Sequence, residues 1–118
     1  MVNTIKFILT LIAFILTLSS CEKLDLKVAV PNCIEKEIVK IKKEGVRNPP
    51  AKVWKWEVDD KTYYYIISDC CDQYNYLYDN NCNKVCAPDG GDSGTGDGNC
   101  PDFNGPIEKT LVWEDNRK

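Results

Sequence analysis

Cys33, Cys70, Cys71, Cys82, Cys86 and Cys100 follow a seventh cysteine, Cys21, in a chain of 118 residues. An even set of six in so short a stretch reads as a disulfide framework, and such frameworks belong to small domains that mature in oxidising compartments. A domain of this size has a thin core. Three bridges at roughly 2–4 kcal/mol each would supply much of its net stability. Six cysteines allow fifteen pairings, and spacing does not choose among them. Cys70 and Cys71 are neighbours and bridge each other only with strain, so two different partners are expected for them. Redox motifs place two residues between their cysteines, and thiolate zinc sites are disfavoured in oxidising surroundings. Structural bridges are therefore the expectation for all six.

The start of the chain points to the same compartment. Residues 1–20 read as a lipoprotein signal peptide. Lys6 gives a positive start, and Phe7 to Leu18 is an apolar run too short to span a membrane comfortably. The run ends in Leu18-Ser19-Ser20-Cys21, which resembles the lipobox of bacterial lipoproteins: a branched apolar residue, two small residues that let the backbone enter a signal peptidase, and a cysteine whose thiol takes the lipid. Cys21 is accordingly the expected lipidation site, residues 21–31 a lipidated tether, and residues 32–118 a single disulfide-stabilised domain. Several acyl chains at roughly 0.8 kcal/mol per buried methylene would make the membrane a permanent partner.

Charge and composition exclude several functions. There are 15 basic and 18 acidic side chains and no basic stripe, so nucleic acid is not an expected partner. There is no histidine. That removes Ser-His-Asp triads, Cys-His pairs, imidazole metal ligands and the ordinary general base near neutral pH. No catalytic residue is assigned, and the chain is not expected to be an enzyme.

Periodicity supplies the elements. Asn32 and Glu35 have capping-box spacing, Ile34, Ile38 and Ile41 form one apolar stripe, and Gly45 is a stop, which predicts an amphipathic helix over 33–44. Cys33 in its first turn is placed to staple it to a sheet. Val53 to Val58 alternates, with Trp54, Trp56 and Val58 on one face, and predicts a strand. Asp59-Asp60-Lys61 reads as a turn and Thr62 to Ser68 as the returning arm. Tyr76 to Tyr78 and Lys84 to Ala87, around the turn cluster Asp79 to Asn83, predict a second hairpin. Leu111 to Trp113 reads as a closing strand. Pro88 to Pro106 holds six of the seven glycines and excludes regular structure. The predicted class is α+β: one amphipathic helix packed on a small antiparallel sheet, with a long Gly/Asp-rich loop tied by disulfides.

That loop attracts motif matches. Gly91-Asp92-Ser93-Gly94 matches a serine-protease nucleophile motif but lacks the histidine that the chemistry requires. The glycines lack the strand and following helix of a phosphate loop. Asp89, Asp92, Asp97 and Asp102 are hard oxygen ligands and make calcium the one cofactor to consider, although the stretch offers a single imperfect copy of a calcium-binding repeat that works as stacked copies. The bland alternative is that glycines turn the chain and aspartates cap the turns. Trp54, Trp56, Tyr63, Tyr64, Tyr65, Tyr74, Tyr76 and Tyr78 are more aromatic surface than one helix can cover. A partly exposed aromatic face would suit a sugar ring or a peptide.

Pro31-Asn32-Cys33-Ile34, Tyr63-Tyr64-Tyr65, Cys70-Cys71-Asp72-Gln73, Leu77-Tyr78-Asp79, Cys86-Ala87-Pro88-Asp89-Gly90-Gly91, Gly94-Thr95-Gly96-Asp97-Gly98 and Cys100-Pro101-Asp102-Phe103 together resemble a family of small lipoprotein domains of unknown function from Bacteroidota. The resemblance implies an outer-membrane lipoprotein. It also implies glycine rather than cysteine near Asn81-Cys82, which makes Cys82 an added cysteine whose pairing is open. The combined expectation is a monomeric, non-catalytic interaction module on the cell envelope, with a protein or glycan ligand. The alternatives are an inhibitor of an extracytoplasmic peptidase that inserts Pro88 to Phe103, or a calcium- or glycan-binding module.

Overall fold

The computed structural model describes residues 23–118. The expected signal segment, the lipidation site Cys21 and the first tether residues lie outside the described residues. Among the described residues the elements are one helix, α1 (Asn32–Lys42), and five strands, β1 (Lys52–Val58), β2 (Lys61–Ile66), β3 (Tyr74–Tyr78), β4 (Lys84–Gly90) and β5 (Glu108–Glu114). All pairings between strands are antiparallel, and the order across the sheet is β4-β3-β2-β1-β5. β1 to β4 form a meander through successive hairpins, and β5 returns to the opposite edge.

That topology corrects the α+β expectation. The described residues form a small β-rich fold, mostly antiparallel sheet with a single short helix and two disulfides among them. The physical reason lies in how the two faces of the sheet are covered. α1 presents Ile34, Ile38 and Ile41 to one face, against Val53, Tyr64, Val112 and Trp113. It does not reach the other face, where Trp56, Val58, Tyr63, Leu77 and Cys86 form a second core. β4 and β5 occupy opposite edges, so the chain between them has to cross the sheet. It crosses on the second face, with Cys100, Phe103 and Ile107 packed against that core. The Gly/Asp-rich segment is therefore the wall of a second layer.

Local expectations fare unevenly for identifiable reasons. Pro31, not Asn32, stands at the N-cap of α1, and no side chain caps the helix. The amides of Ile34 and Glu35 instead donate to the Pro31 carbonyl at 2.9 and 3.2 Å. At the other end Gly45 is not needed as a stop, because Arg117 donates to the carbonyls of Lys42 at 2.7 Å and Glu44 at 3.1 Å. Asp115, buried at 3 % exposure, holds that guanidinium through contacts of 2.7 and 2.9 Å. The guanidinium in turn lowers the Asp115 carboxyl below the usual carboxylate range. Pro88 to Gly90, expected as loop, continue β4; Pro88 is tolerated because β4 is an edge strand, where a missing amide breaks no inner ladder.

Part of the expected tether is also folded. From Lys23 to Val30 exposed and half-buried residues alternate, and Leu24, Leu26, Val28 and Val30 pack against the helix-side core. The Lys27 amide donates to the Val112 carbonyl at 2.9 Å. Period-two burial is the mark of an extended chain lying on a core.

Candidate functional site

On the face away from α1, a recess of about 230 Å3 opens between β1, β2, β4 and β5, lined by Trp54, Trp56, Tyr65, Asp89 and Lys109. Strand alternation sets three of these residues. Trp54 and Trp56 lie two apart on β1, and Trp54 pairs across the ladder with Tyr65. The Trp56 and Tyr65 rings stack, with centroids 5.1 Å apart and planes inclined by 21°. Lys109 on β5 places its ammonium 4.3 Å from the centre of the Trp56 ring, a cation–π contact that also puts a hydrogen-bond donor at the rim.

Asp89 is the fixed polar group of the recess. The Tyr65 hydroxyl donates to both of its carboxylate oxygens at 2.8 and 2.9 Å, and the Asn75 amide nitrogen donates to Oδ1 at 2.6 Å. Asn75 faces Asp89 in the β3–β4 ladder. Burial and then the Asp89 carboxylate raise the Tyr65 hydroxyl far above the ordinary phenol range, so it stays a donor. The Trp56 indole nitrogen is buried with no hydrogen-bond partner among the described residues. The chemistry available is an aromatic wall, a preorganised acceptor and a cationic rim.

The four candidate calcium ligands are not brought together. Asp89 is in this recess and engaged by Tyr65 and Asn75. Asp97 caps its own turn, accepting the Asn99 amide at 3.0 Å, and its carboxyl is lowered by that bond. Asp92 and Asp102 are exposed. Among the described residues no three His, Cys, Asp or Glu side chains are grouped to hold a metal ion.

Four of the six cysteines are bridged, as Cys33–Cys82 and Cys86–Cys100. Cys82 is thus paired, in the turn that follows β3, and it ties down the start of α1. Cys70 and Cys71 differ from the expectation of two separate partners: both are exposed free thiols.

A second aromatic surface lies on the helix side. Tyr74, Tyr76 and Tyr78 meet edge to face, with centroids 5.9 and 6.5 Å apart, along a groove of about 570 Å3 beside α1. Lys84 lies 3.8 Å above the Tyr76 ring. The recess around Trp54 differs from this groove in its stacked Trp–Tyr pair and in a carboxylate held by donors from Tyr65 and Asn75.

Sequence reasoning found Trp54, Trp56 and Tyr65 as an aromatic face but not Asn75 or Lys109. The available signal for Lys109 was β-alternation through Glu108 to Trp113, which was weakened by its charged half. No curated protein and no solved structure matches the chain. A family defined as a domain of unknown function (DUF6970) matches residues 39–115, which takes in all five strands and every residue of the recess, and the chain belongs to that family.

Proposed function

We propose that this chain is a lipid-anchored, extracytoplasmic and non-catalytic glycan-binding module, and that the recess around Trp54 takes one sugar ring. The observation that carries the reading is the pairing of a stacked Trp–Tyr wall with a carboxylate held in place by Tyr65 and Asn75. The C–H face of a pyranose packs on an aromatic ring, and a fixed carboxylate accepts its hydroxyls without paying to be ordered. Glycosidases work with two carboxyl groups flanking the bond. The lining of the recess has Asp89 alone, which supports binding over hydrolysis. A recess that admits a single ring gives weak monovalent affinity, with a dissociation constant on the order of 1 mM, raised by multivalent display on a membrane.

The address rests on Leu18-Ser19-Ser20-Cys21 and on two bridges that need an oxidising compartment. The likeness to lipoprotein domains of Bacteroidota favours the outer membrane, with the domain acting as a monomer. A palmitate analogue fed to expressing cells is expected to label the wild type and not Cys21→Ala; label on the variant would refute the anchor. For the ligand, the protein is applied to a glycan array as wild type and as Trp54→Ala. Retention by a defined set of glycans that falls about tenfold in the variant is the expected result. Absence of retention, or equal retention by both proteins, would refute the glycan reading.

A further inference from the structure

The β2–β3 connection holds the two cysteines that the framework does not use. Cys33, Cys82, Cys86 and Cys100 are consumed in two bridges, so Cys70 and Cys71 have no other cysteine to pair with among the described residues. Their sulfurs lie 2.7 Å apart on an exposed turn. The turn is held from both sides. The Gln73 amide donates to the Cys70 carbonyl at 3.2 Å, and the Ser68 hydroxyl reaches that carbonyl at 3.3 Å and Asn75 Oδ1 at 3.0 Å. The Ser68 amide also donates to Asn75 Oδ1 at 2.9 Å. The backbone thus presents both thiols outward and together, rather than leaving two side chains to meet by chance.

We propose that Cys70 and Cys71 are a reversible vicinal dithiol/disulfide site, oxidised by thiol–disulfide exchange with disulfides of the compartment and able, when reduced, to clamp a thiophilic ligand between the two sulfurs. This goes beyond the glycan-binding reading and does not rest on it. In the exchange, one cysteine thiolate attacks a disulfide R–S–S–R, forming a mixed disulfide and releasing R–S−. The second thiolate attacks the protein sulfur of that mixed disulfide, closes the Cys70–Cys71 bond and releases a second R–S−. The two thiol protons end on the two released thiolates, and two electrons pass from the dithiol to R–S–S–R. The conditions that oxidised the two structural pairs act on these exposed thiols as well.

Covalent geometry makes the bond labile. Neighbouring α-carbons are about 3.8 Å apart across a trans peptide, while ordinary bridges span about 4.4–6.8 Å. A bridge between neighbours is strained, and strained, exposed bridges are the ones that exchange. The sulfur–sulfur contact raises the Cys70 thiol above its ordinary range.

The test uses protein quenched in acid at harvest, alkylated with N-ethylmaleimide, digested and weighed. The peptide containing Cys70 and Cys71 is expected to carry no label and to be lighter than the dithiol form by two hydrogens. A low concentration of dithiothreitol should then open this pair alone, with Cys33–Cys82 and Cys86–Cys100 needing about tenfold more. Phenylarsine oxide should bind the reduced wild type with one arsenic per chain, and should be lost in Cys70→Ser and in Cys71→Ser. Both residues are exposed, so the variants keep the fold. Label on both cysteines before reduction, a mixed disulfide with another molecule, opening only together with the structural bridges, or arsenical binding retained by a single-cysteine variant would each overturn the proposal.

Discussion

Serine at both Cys33 and Cys82 is expected to lower the unfolding free energy by roughly 4 kcal/mol. The bridge closes a sequence separation of 49 residues, against 14 for Cys86–Cys100. The entropy removed from the unfolded chain grows with the logarithm of the loop, so the shorter bridge contributes roughly 3 kcal/mol. Position adds to the difference. Cys33 is in the first turn of α1, which has no side-chain cap, and an isolated helix of 11 residues is marginal in water. Without the bridge, the stripe of Ile34, Ile38 and Ile41 docks on the sheet by packing alone. Urea unfolding of the two double-serine variants checks this. A larger loss for Cys86–Cys100 would show that the crossing segment, and not the helix, limits stability.

Gly96→Ala is expected to cost about 3 kcal/mol, while Gly94→Ala costs about 1 kcal/mol. Both glycines have positive φ, +81° and +73°, where any Cβ is strained. The difference lies in what surrounds them. A Cβ on Gly96 would fall on the Ala87 carbonyl oxygen, with the Pro88 carbonyl carbon at 2.8 Å and the Asp89 amide at 3.0 Å, whereas one on Gly94 meets nothing within 4 Å. All three neighbours of Gly96 are backbone of β4 and cannot swing aside. The Gly96 and Asp97 amides donate to the carbonyls of Gly90 at 3.1 Å and Ala87 at 3.0 Å, so the crossing segment is laced to β4 at this point. Forcing the two apart moves Asp89, the acceptor of the recess. Gly96→Ala should therefore lose hydrogen-exchange protection at Asp97 and weaken any glycan retention, and Gly94→Ala should do neither. Equal losses in denaturant midpoint would mean that conformational strain alone, without close contact, sets the cost.

The strands were legible wherever one face alternates cleanly. Val53 to Val58 and the tyrosines of β2 announced a hairpin, and Asp59 and Asp60 take the positive φ values that its tight turn needs. β5 was legible only in part. Its register against β1 shifts between Val53 and Trp54, and Val112 and Trp113 both enter the helix-side core, so its apolar residues do not alternate. Leu24 to Val30 carried a period-two pattern that its interleaved charges made look like a tether. The fold class went astray because the isoleucine stripe of α1 is the strongest periodic signal in the chain, while the second layer is made of glycine, aspartate and proline, residues that read as loop wherever they occur.

The recess was harder to read because its parts meet through strand pairing, not along the chain. Asp89 reaches Tyr65 and Asn75 across separations of 24 and 14 residues. In the sequence it sits in a run with Asp92, Asp97 and Asp102, which invites a shared role. Strand geometry divides that run: Asp89 turns into the recess from β4, while Asp97 closes a local turn. Cysteine pairing was hidden for the same reason, since Cys33 and Cys82 meet only once α1 has docked beside the β3–β4 turn. Cys33 also precedes the stretch matched by the family, residues 39–115, while Cys82 lies inside it.

The decisive measurement is an NMR titration of the protein with a glycan retained on the array, following the indole N–H signals of Trp54 and Trp56 together with the ring signals of all six tyrosines. Binding at the recess predicts shifts at Trp54, Trp56 and Tyr65, with Tyr74, Tyr76 and Tyr78 unmoved. Shifts confined to Tyr74, Tyr76 and Tyr78 would place the ligand in the groove beside α1 and contradict the account.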